Sequence, residues 1–296
     1  MRKNRFGLSV ALASPFAEDL SIDLPRLVAH GRQSLADGCA SLTVFGTTGE
    51  GASLGLNERN RALGALVGAG VDPVTQLVVG IAASSVEEAI AQGRAGLMLG
   101  CPSFLLAPPF YFKGVGDEGL FDWFAAVLTG LGPKAGNVIL YHIPQVTSVG
   151  LSMDLIGQLK KAFPKQVTGV KDSSGDWDNA QALLKHHGEL HILIGDERLL
   201  AKAMNLGASG AITGLANIAP DLMKPLIDGI EEPRINAMVE VVLPYAVTAA
   251  VKALVGHRRK DAAAWSRMRA PLKSLSEADC QELFAAIDAI RTRRAA

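Results

Sequence analysis

Short apolar runs alternate with longer amphipathic segments along most of the chain. The runs are Leu8–Ala13, Ser41–Phe45, Gln76–Ile81, Phe104–Ala107, Val138–His142, Val167–Lys171, Ile192–Ile194 and Gly210–Thr213. They are rich in Val, Ile, Leu and Phe and carry no polar alternation, which is how strands covered on both faces of a parallel sheet read. Helical spacing fills the gaps: Leu24–Leu35, Asn57–Val67, Val86–Leu99, Glu118–Leu128, Met153–Phe163, Asn179–His187, Arg198–Leu206 and Asp221–Asp228. Asp23 is placed to cap the first helix, with Pro25 inside its first turn. Gly38, Gly100, Gly188 and Gly207 stand where left-handed C-terminal caps belong. About eight strand-then-helix units predict a TIM (β/α)8 barrel rather than an open sheet.

After Gly229 the pattern changes. Glu231-Glu232-Pro233 leads into segments of helical spacing only, Met238–Val255, Ala262–Met268 and Ala278–Ile290. The expected division is a barrel over residues 1–229 and a C-terminal helical extension over 230–296. No Ser- or Pro-rich linker separates the two, so the extension is expected to pack on the barrel.

The chain's 296 residues suit one such barrel with an appendage, and 49% hydrophobic residues supply its core. Basic and acidic residues both number 29. This balance gives no broad electrostatic case for nucleic acid or an anionic membrane. The one dense basic stretch, Arg291–Arg294, reads as a solvated end. Cys39, Cys101 and Cys280 form no close pair, which points to a reducing compartment and buried thiols rather than a disulfide framework. The basic stretch from Met1 to Gly7 lacks the apolar core of a signal peptide, and no run approaches the ~20 residues needed to span a bilayer. The expected location is the cytoplasm.

In a barrel of this kind the reactive groups gather at the C-terminal ends of the strands. Four places there carry chemistry. In Val167-Thr168-Gly169-Val170-Lys171-Asp172-Ser173-Ser174-Gly175 a lysine closes an apolar strand, and alternation places Lys171 with Val167 and Gly169 on the barrel's inner face. Burial there disfavours the ammonium and lowers its pKa, and a neutral amine is what Schiff-base formation needs. The strand alone equally allows Lys171 to reach outward and pair with Asp172 or Asp176. In Val138-Ile139-Leu140-Tyr141-His142 the phenol of Tyr141 shares the parity of Ile139. It could move protons, or simply pack with its hydroxyl on a carbonyl. Phe45-Gly46-Thr47-Thr48-Gly49-Glu50-Gly51 offers backbone N–H groups and two hydroxyls to a carboxylate, though an ordinary turn has the same composition. Ile194-Gly195-Asp196-Glu197 puts acids at the barrel rim, suited either to substrate hydroxyls or to the first turn of a helix.

Six histidines are scattered, only His142 at a strand end, and none makes a metal-binding spacing such as His-Glu-x-x-His. No Gly-x-Ser-x-Gly elbow follows a strand. A metal site and a serine hydrolase are therefore not predicted.

As an ordered set, Gly46-Thr47-Thr48-Gly49-Glu50, Pro109-Phe110-Tyr111, Tyr141-His142-Ile143-Pro144 and Gly169-Val170-Lys171-Asp172 resemble the dihydrodipicolinate synthase and N-acetylneuraminate lyase family of Schiff-base barrels. The resemblance runs from about Phe6 to the C-terminal helices. It implies a lyase in which Lys171 carries the imine with pyruvate and Tyr141 is the general acid and base. It also implies that Thr47 links Tyr141 to Tyr111 of a neighbouring subunit, that Thr48 cradles the pyruvate carboxylate and that Ile212 lines the pocket. The implied assembly is a homotetramer built as a dimer of dimers, and no cofactor is implied because the protonated imine itself is the electron sink.

The departures bear on the second substrate. Where dihydrodipicolinate synthases resemble one another in an arginine for the carboxylate of aspartate semialdehyde, this chain has Val146 between Gln145 and Thr147. Losing such a charge-assisted pair costs on the order of 2–5 kcal/mol. His142 stands where Asn is usual, and Pro109-Phe110-Tyr111-Phe112-Lys113 looks more like the branches that act on sialate and 2-keto-3-deoxy sugar acids. Ser173, Gly195 and Glu197 then become expected contacts for a hydroxylated chain. The leading expectation is aldol cleavage or dehydration of a 2-keto-3-deoxy sugar acid. Condensation of pyruvate with aspartate semialdehyde is the alternative, and a barrel that binds a keto acid without turnover is a third reading.

Overall fold

The computed structural model describes residues 5–292, so Met1–Asn4 of the basic N-terminus and Arg293–Arg294 of the terminal basic stretch lie outside the described residues. Eight parallel strands close into a barrel in chain order: β1 (Gly7–Ala11), β2 (Ser41–Val44), β3 (Leu77–Ile81), β4 (Ser103–Leu106), β5 (Asn137–His142), β6 (Val167–Asp172), β7 (His191–Ile194) and β8 (Gly210–Thr213), with β8 pairing back to β1. Each follows one of the apolar runs, and a helix follows each strand. Ser85, Ser152 and Asp176 cap helices with their own side chains, as Asp23 does by accepting from the Arg26 N–H. Gly38, Gly100 and Gly207 adopt positive φ past their helices, whereas Gly188 is not among the left-handed glycines.

Two apolar clusters result. A small one fills the barrel interior and includes Val78, Leu105, Ile139, Tyr141, Leu193 and Ile212. The larger one lies between strands and helices and takes in Val138, Leu140, Val167 and Val170. Val167 therefore faces outward, contrary to simple alternation from Lys171. The register shifts between Val138 and Ile139: Val138 pairs with Val167 and Ile139 with Gly169. One extra residue, Thr168, sits in β6 at that point and reverses the parity. Beyond it Tyr141 and Lys171 are directly paired neighbours.

Past Gly229 the chain forms helices Pro233–Val242, Val247–Arg259, Ala262–Trp265 and Glu277–Thr292. The expected single helix over Met238–Val255 is two, meeting at 117°. Pro244 lies in the break, where its ring and missing N–H end a helix. Met238, Leu254, Trp265 and Leu283 of these helices belong to the same buried cluster as the barrel's outer layer. Among the described residues no single helix is long and apolar enough to cross a membrane. Arg291 is not a loose end: its guanidinium bonds the Asp221 carboxylate and the Ile218 carbonyl. Cys39 and Cys101 are buried, and burial pushes their thiols up to about 12 and about 11.

Candidate active site

Lys171 ends β6 on the inside of the barrel and is only 5% exposed. Its Nζ donates to the hydroxyl of Tyr141 at 3.2 Å and lies 4.4 Å from the centre of that ring. Neither acid that could have drawn it outward is available. Asp172 accepts from Ser174 N at 2.9 Å, Ser174 Oγ at 2.7 Å and Asn179 Nδ2 at 3.0 Å, while Asp176 caps helix Trp177–His186. The inward reading of the lysine is the one the fold adopts.

Tyr141 is buried at the end of β5 and faces Thr47 Oγ1 at 3.4 Å. Burial pushes its phenol up. The Lys171 charge and hydrogen bonds from Thr47, Lys171 and Ser173 outweigh that, and the phenol lies below its ordinary range. A phenol so placed can exchange a proton with a group on the adjacent amine.

Thr47 and Thr48 sit on a loop held in strain. Phe45 and Glu50, which bracket it, both adopt left-handed φ values of 60° and 53°. Arg59, buried on the next helix, holds this conformation. Its guanidinium donates to the carbonyls of Leu54, Gly80 and Gly51 at 3.2, 2.8 and 2.6 Å and lies 5.0 Å from the Phe45 ring. Glu50 holds the loop from the other side through Lys252 of helix Val247–Arg259, with both side chains fully buried. Sequence reasoning missed Arg59 and Lys252. The available signal was a single lysine inside the otherwise apolar run Ala249–Val255.

Ile212 is buried in the interior cluster beside Tyr141. Thr48 is half-buried near the end of β8, its hydroxyl 3.6 Å from where a β-carbon on Gly214 would stand. Ser173 joins the Tyr141 hydrogen bonds, and Gly195 leaves room for it: a β-carbon there would fall on the Ser173 hydroxyl and lie 3.0 Å from its Cβ. Tyr111 does not reach this group within its own chain; it is 73% exposed, packed edge-on against Phe112.

Glu197 departs from its expected role. It is buried, its carboxylate accepts from Leu215 N at 3.1 Å and is bonded by Thr213, and burial raises its pKa. It supports the backbone after β8. Asp196 caps the following helix and pairs with Arg198. His142 likewise turns away, its Nδ1 accepting from Leu151 N.

A cavity of about 560 Å³ opens beside this cluster, with Thr47 and Tyr141 in its wall. Its other walls come from Phe45, Ile81, Phe110 and Val146 on the barrel and from Val247 and Leu272 of the C-terminal segment.

This geometry accompanies clear likeness to known proteins. The model of the dihydrodipicolinate synthetase family matches residues 4–290. The chain belongs to that family. It is a lyase, of the general kind that handles pyruvate through a lysine imine. Within the family it is similar to a DapA-like lyase of Chloroflexus aurantiacus, 32% identical with 96% of each chain covered. It is also similar to a 4-hydroxy-tetrahydrodipicolinate synthase of Azoarcus, 33% identical over 73% of this chain and 72% of that one. Among solved structures, dihydrodipicolinate synthase from Agrobacterium tumefaciens is 47% identical with a TM-score of 0.94, covering 97% of this chain and 99% of that one.

Proposed function

We propose that Lys171 forms an imine with the keto carbon of pyruvate and that the chain makes or breaks a carbon–carbon bond at the pyruvate methyl carbon. The observation that carries this is the buried Lys171 amine 3.2 Å from the Tyr141 hydroxyl, with no carboxylate paired to it among the described residues. The amine adds to the carbonyl, and loss of water gives the imine. Tyr141 carries protons to the departing hydroxyl and to the oxygen formed or released in the aldol step. Once the imine is protonated it accepts the electron pair left on the methyl carbon, so neither metal nor organic cofactor is required.

Thr47 orients Tyr141, and Thr48 with the strained loop receives the pyruvate carboxylate. Ile212 bounds the methyl side, and Ser173 supports the phenol. We further propose a homotetramer of two tight dimers in the cytoplasm. The exposed Tyr111 of one copy would then meet Thr47 of the next; its exposure within the single chain supports this.

A second reading, condensation with aspartate semialdehyde, is favoured by the names of the Azoarcus and Agrobacterium relatives. A cation does come near Val146: Lys113 Nζ donates to the carbonyls of Phe110 and Thr147.

Incubation with pyruvate and borohydride is the direct test. A reduced pyruvyl adduct on the peptide containing Lys171, absent in Lys171→Ala, is the expected result. An unmodified lysine in a folded protein rejects the reading.

A further inference from the structure

The loop after β2 is tied down mainly through its carbonyl groups. Glu50 N and Gly51 N donate back to the carbonyls of Thr47 and Gly46, each at 3.0 Å. Ser14 Oγ donates to the Gly49 carbonyl at 2.8 Å, and Arg59 Nη2 to that of Gly51 at 2.6 Å. The N–H groups of Thr47, Thr48 and Gly49 donate to no acceptor among the described residues. Successive N–H groups in a tight turn make a concavity suited to an anion, and the same stretch faces Tyr141 through Thr47 Oγ1.

Such a turn does not hold itself. Phe45 and Glu50 keep left-handed φ at its two ends, a conformation that residues other than glycine leave unless something fixes them. Part of the fixing comes from one face of helix Val247–Arg259. Thr248, Val251 and Lys252 stand three and four residues apart and share that face. Thr248 Oγ1 donates to the Thr47 carbonyl at 3.4 Å, near the start of the turn. At its end Lys252 Nζ holds one oxygen of the Glu50 carboxylate at 2.5 Å, and Arg269 N holds the other at 2.9 Å. Between these points Val251 and Thr48 meet across Gly214: a β-carbon there would lie 3.5 Å from Val251 Cγ2 and 3.6 Å from Thr48 Oγ1.

Lys252 is fully buried, and its partners are Glu50, the Arg267 carbonyl and the Phe16 ring. None of these reacts. A buried ion pair gains little stability over a well-packed apolar pair of the same volume. What the charge adds is a fixed position for Glu50, and with it the shape of the turn that ends there.

We infer that Lys252 and Thr248 are positioning residues for the keto acid: from the C-terminal segment they hold the turn in the shape that receives the pyruvate carboxylate. The inference rests on the imine reading above and adds no chemical step. Without the clamp the turn relaxes toward ordinary backbone angles. A carboxylate must then restore it on binding, which lowers its affinity by the fraction of molecules no longer in the receptive shape. A ketone that carries no carboxylate has nothing to lose.

Acetone is such a ketone. The full chain is incubated with pyruvate or with acetone in the presence of cyanoborohydride, and labelling of the Lys171 peptide is followed by mass over a range of ketone concentrations. The readout is the ratio of the two trapping efficiencies, which in wild type should favour pyruvate. Glu50→Gln combined with Lys252→Met leaves no stranded charge and should lower that ratio about tenfold, the effect of one well-aimed bond to a charged group. Thr248→Val should lower it about threefold, as a weaker neutral bond does. Acetone labelling should hold at the wild-type rate in both.

Absence of labelling in wild type removes the imine reading and this inference with it. Labelling with an unchanged ratio in either folded variant overturns the inference alone. So does an equal loss with both ketones, because the clamp would then serve the fold and not the carboxylate. A thermal melt precedes each assay; if the double variant is unfolded, Thr248→Val, at the half-buried start of the helix, decides the matter.

Discussion

Glu50 and Lys252, 202 residues apart in the chain, meet at 2.5 Å with both side chains fully buried. The Lys252 ammonium also donates to the Arg267 carbonyl at 2.5 Å and lies 4.2 Å from the centre of the Phe16 ring, while Glu50 accepts a second bond from Arg269 N at 2.9 Å. The C-terminal segment thereby grips the end of the loop that carries Thr47 and Thr48.

Removing one partner strands the other charge in the interior. Lys252→Met is expected to cost about 3–5 kcal/mol, and Glu50→Gln with Lys252→Met together less than the sum of the single changes. Urea denaturation of the three variants checks both. A single-variant loss below about 1 kcal/mol would mean that the pair is hydrated or loose.

Tyr141→Phe keeps the ring in the interior cluster and deletes the hydroxyl between Lys171 and Thr47. Turnover with pyruvate should fall by about 10²–10⁴, with stability changed by about 1 kcal/mol. Steady-state kinetics alongside a thermal melt separate the two effects. An active variant with unaltered kcat removes the phenol from the proton path.

Gly195 is a packing requirement of Ser173. Gly195→Ala should destabilise by about 1–3 kcal/mol through overpacking and lower kcat by displacing the Ser173 hydroxyl from Tyr141. Adding Ser173→Ala should recover part of the stability and none of the lost rate. Recovery of the rate in the double variant would show that Ser173 has no part in orienting the phenol.

His30 makes stability depend on pH. It is buried, its Nε2 bonded to Asn217 Oδ1 at 2.9 Å and its Nδ1 facing the donor Arg259 Nη2 at 2.8 Å. Asn217 Oδ1 as acceptor and Arg259 as donor leave Nε2 carrying the single ring proton. Burial, set against the Asn217 bond and joined by the Arg259 and Arg258 charges, lowers the pKa to about 4. The unfolded chain binds this proton near 6.5 and the folded chain does not. The His30 contribution is therefore full above pH 6.5 and is lost as pH falls toward 4, amounting to at most roughly 3 kcal/mol. Urea titrations at pH 7.5, 6 and 5 on wild type and His30→Gln should show the steeper acid loss in wild type; parallel curves contradict it.

The barrel and the placing of Lys171 and Tyr141 near its strand ends were legible because both follow from local rules. Strands covered on two faces must be continuously apolar, as at Leu77–Ile81, and a lysine closing such a run as Lys171 does is conspicuous. The inward direction of Tyr141 followed from the parity of Ile139, with no irregularity between them. From Val167 the same rule failed, because the register shift beside Ile139 adds a residue to β6 that no composition signals. Glu197 stayed open between two readings for a related reason. An acid opening a helix at the barrel rim reads the same whether it faces a ligand or the next loop, and only the path of the chain after β8 brings Leu215 N to its carboxylate.

The order of elements, the barrel and the identity of the amine at the end of β6 were thus determined by the sequence alone, since hydrophobic period and strand-end chemistry act over a few residues. Which way Lys171 points, the capture of Glu50 by Lys252 and the carbon lining opposite Tyr141 were decided only by the tertiary structure. Each depends on groups from distant segments meeting in a space without water, where a charge must find a partner and a carbon wall need not.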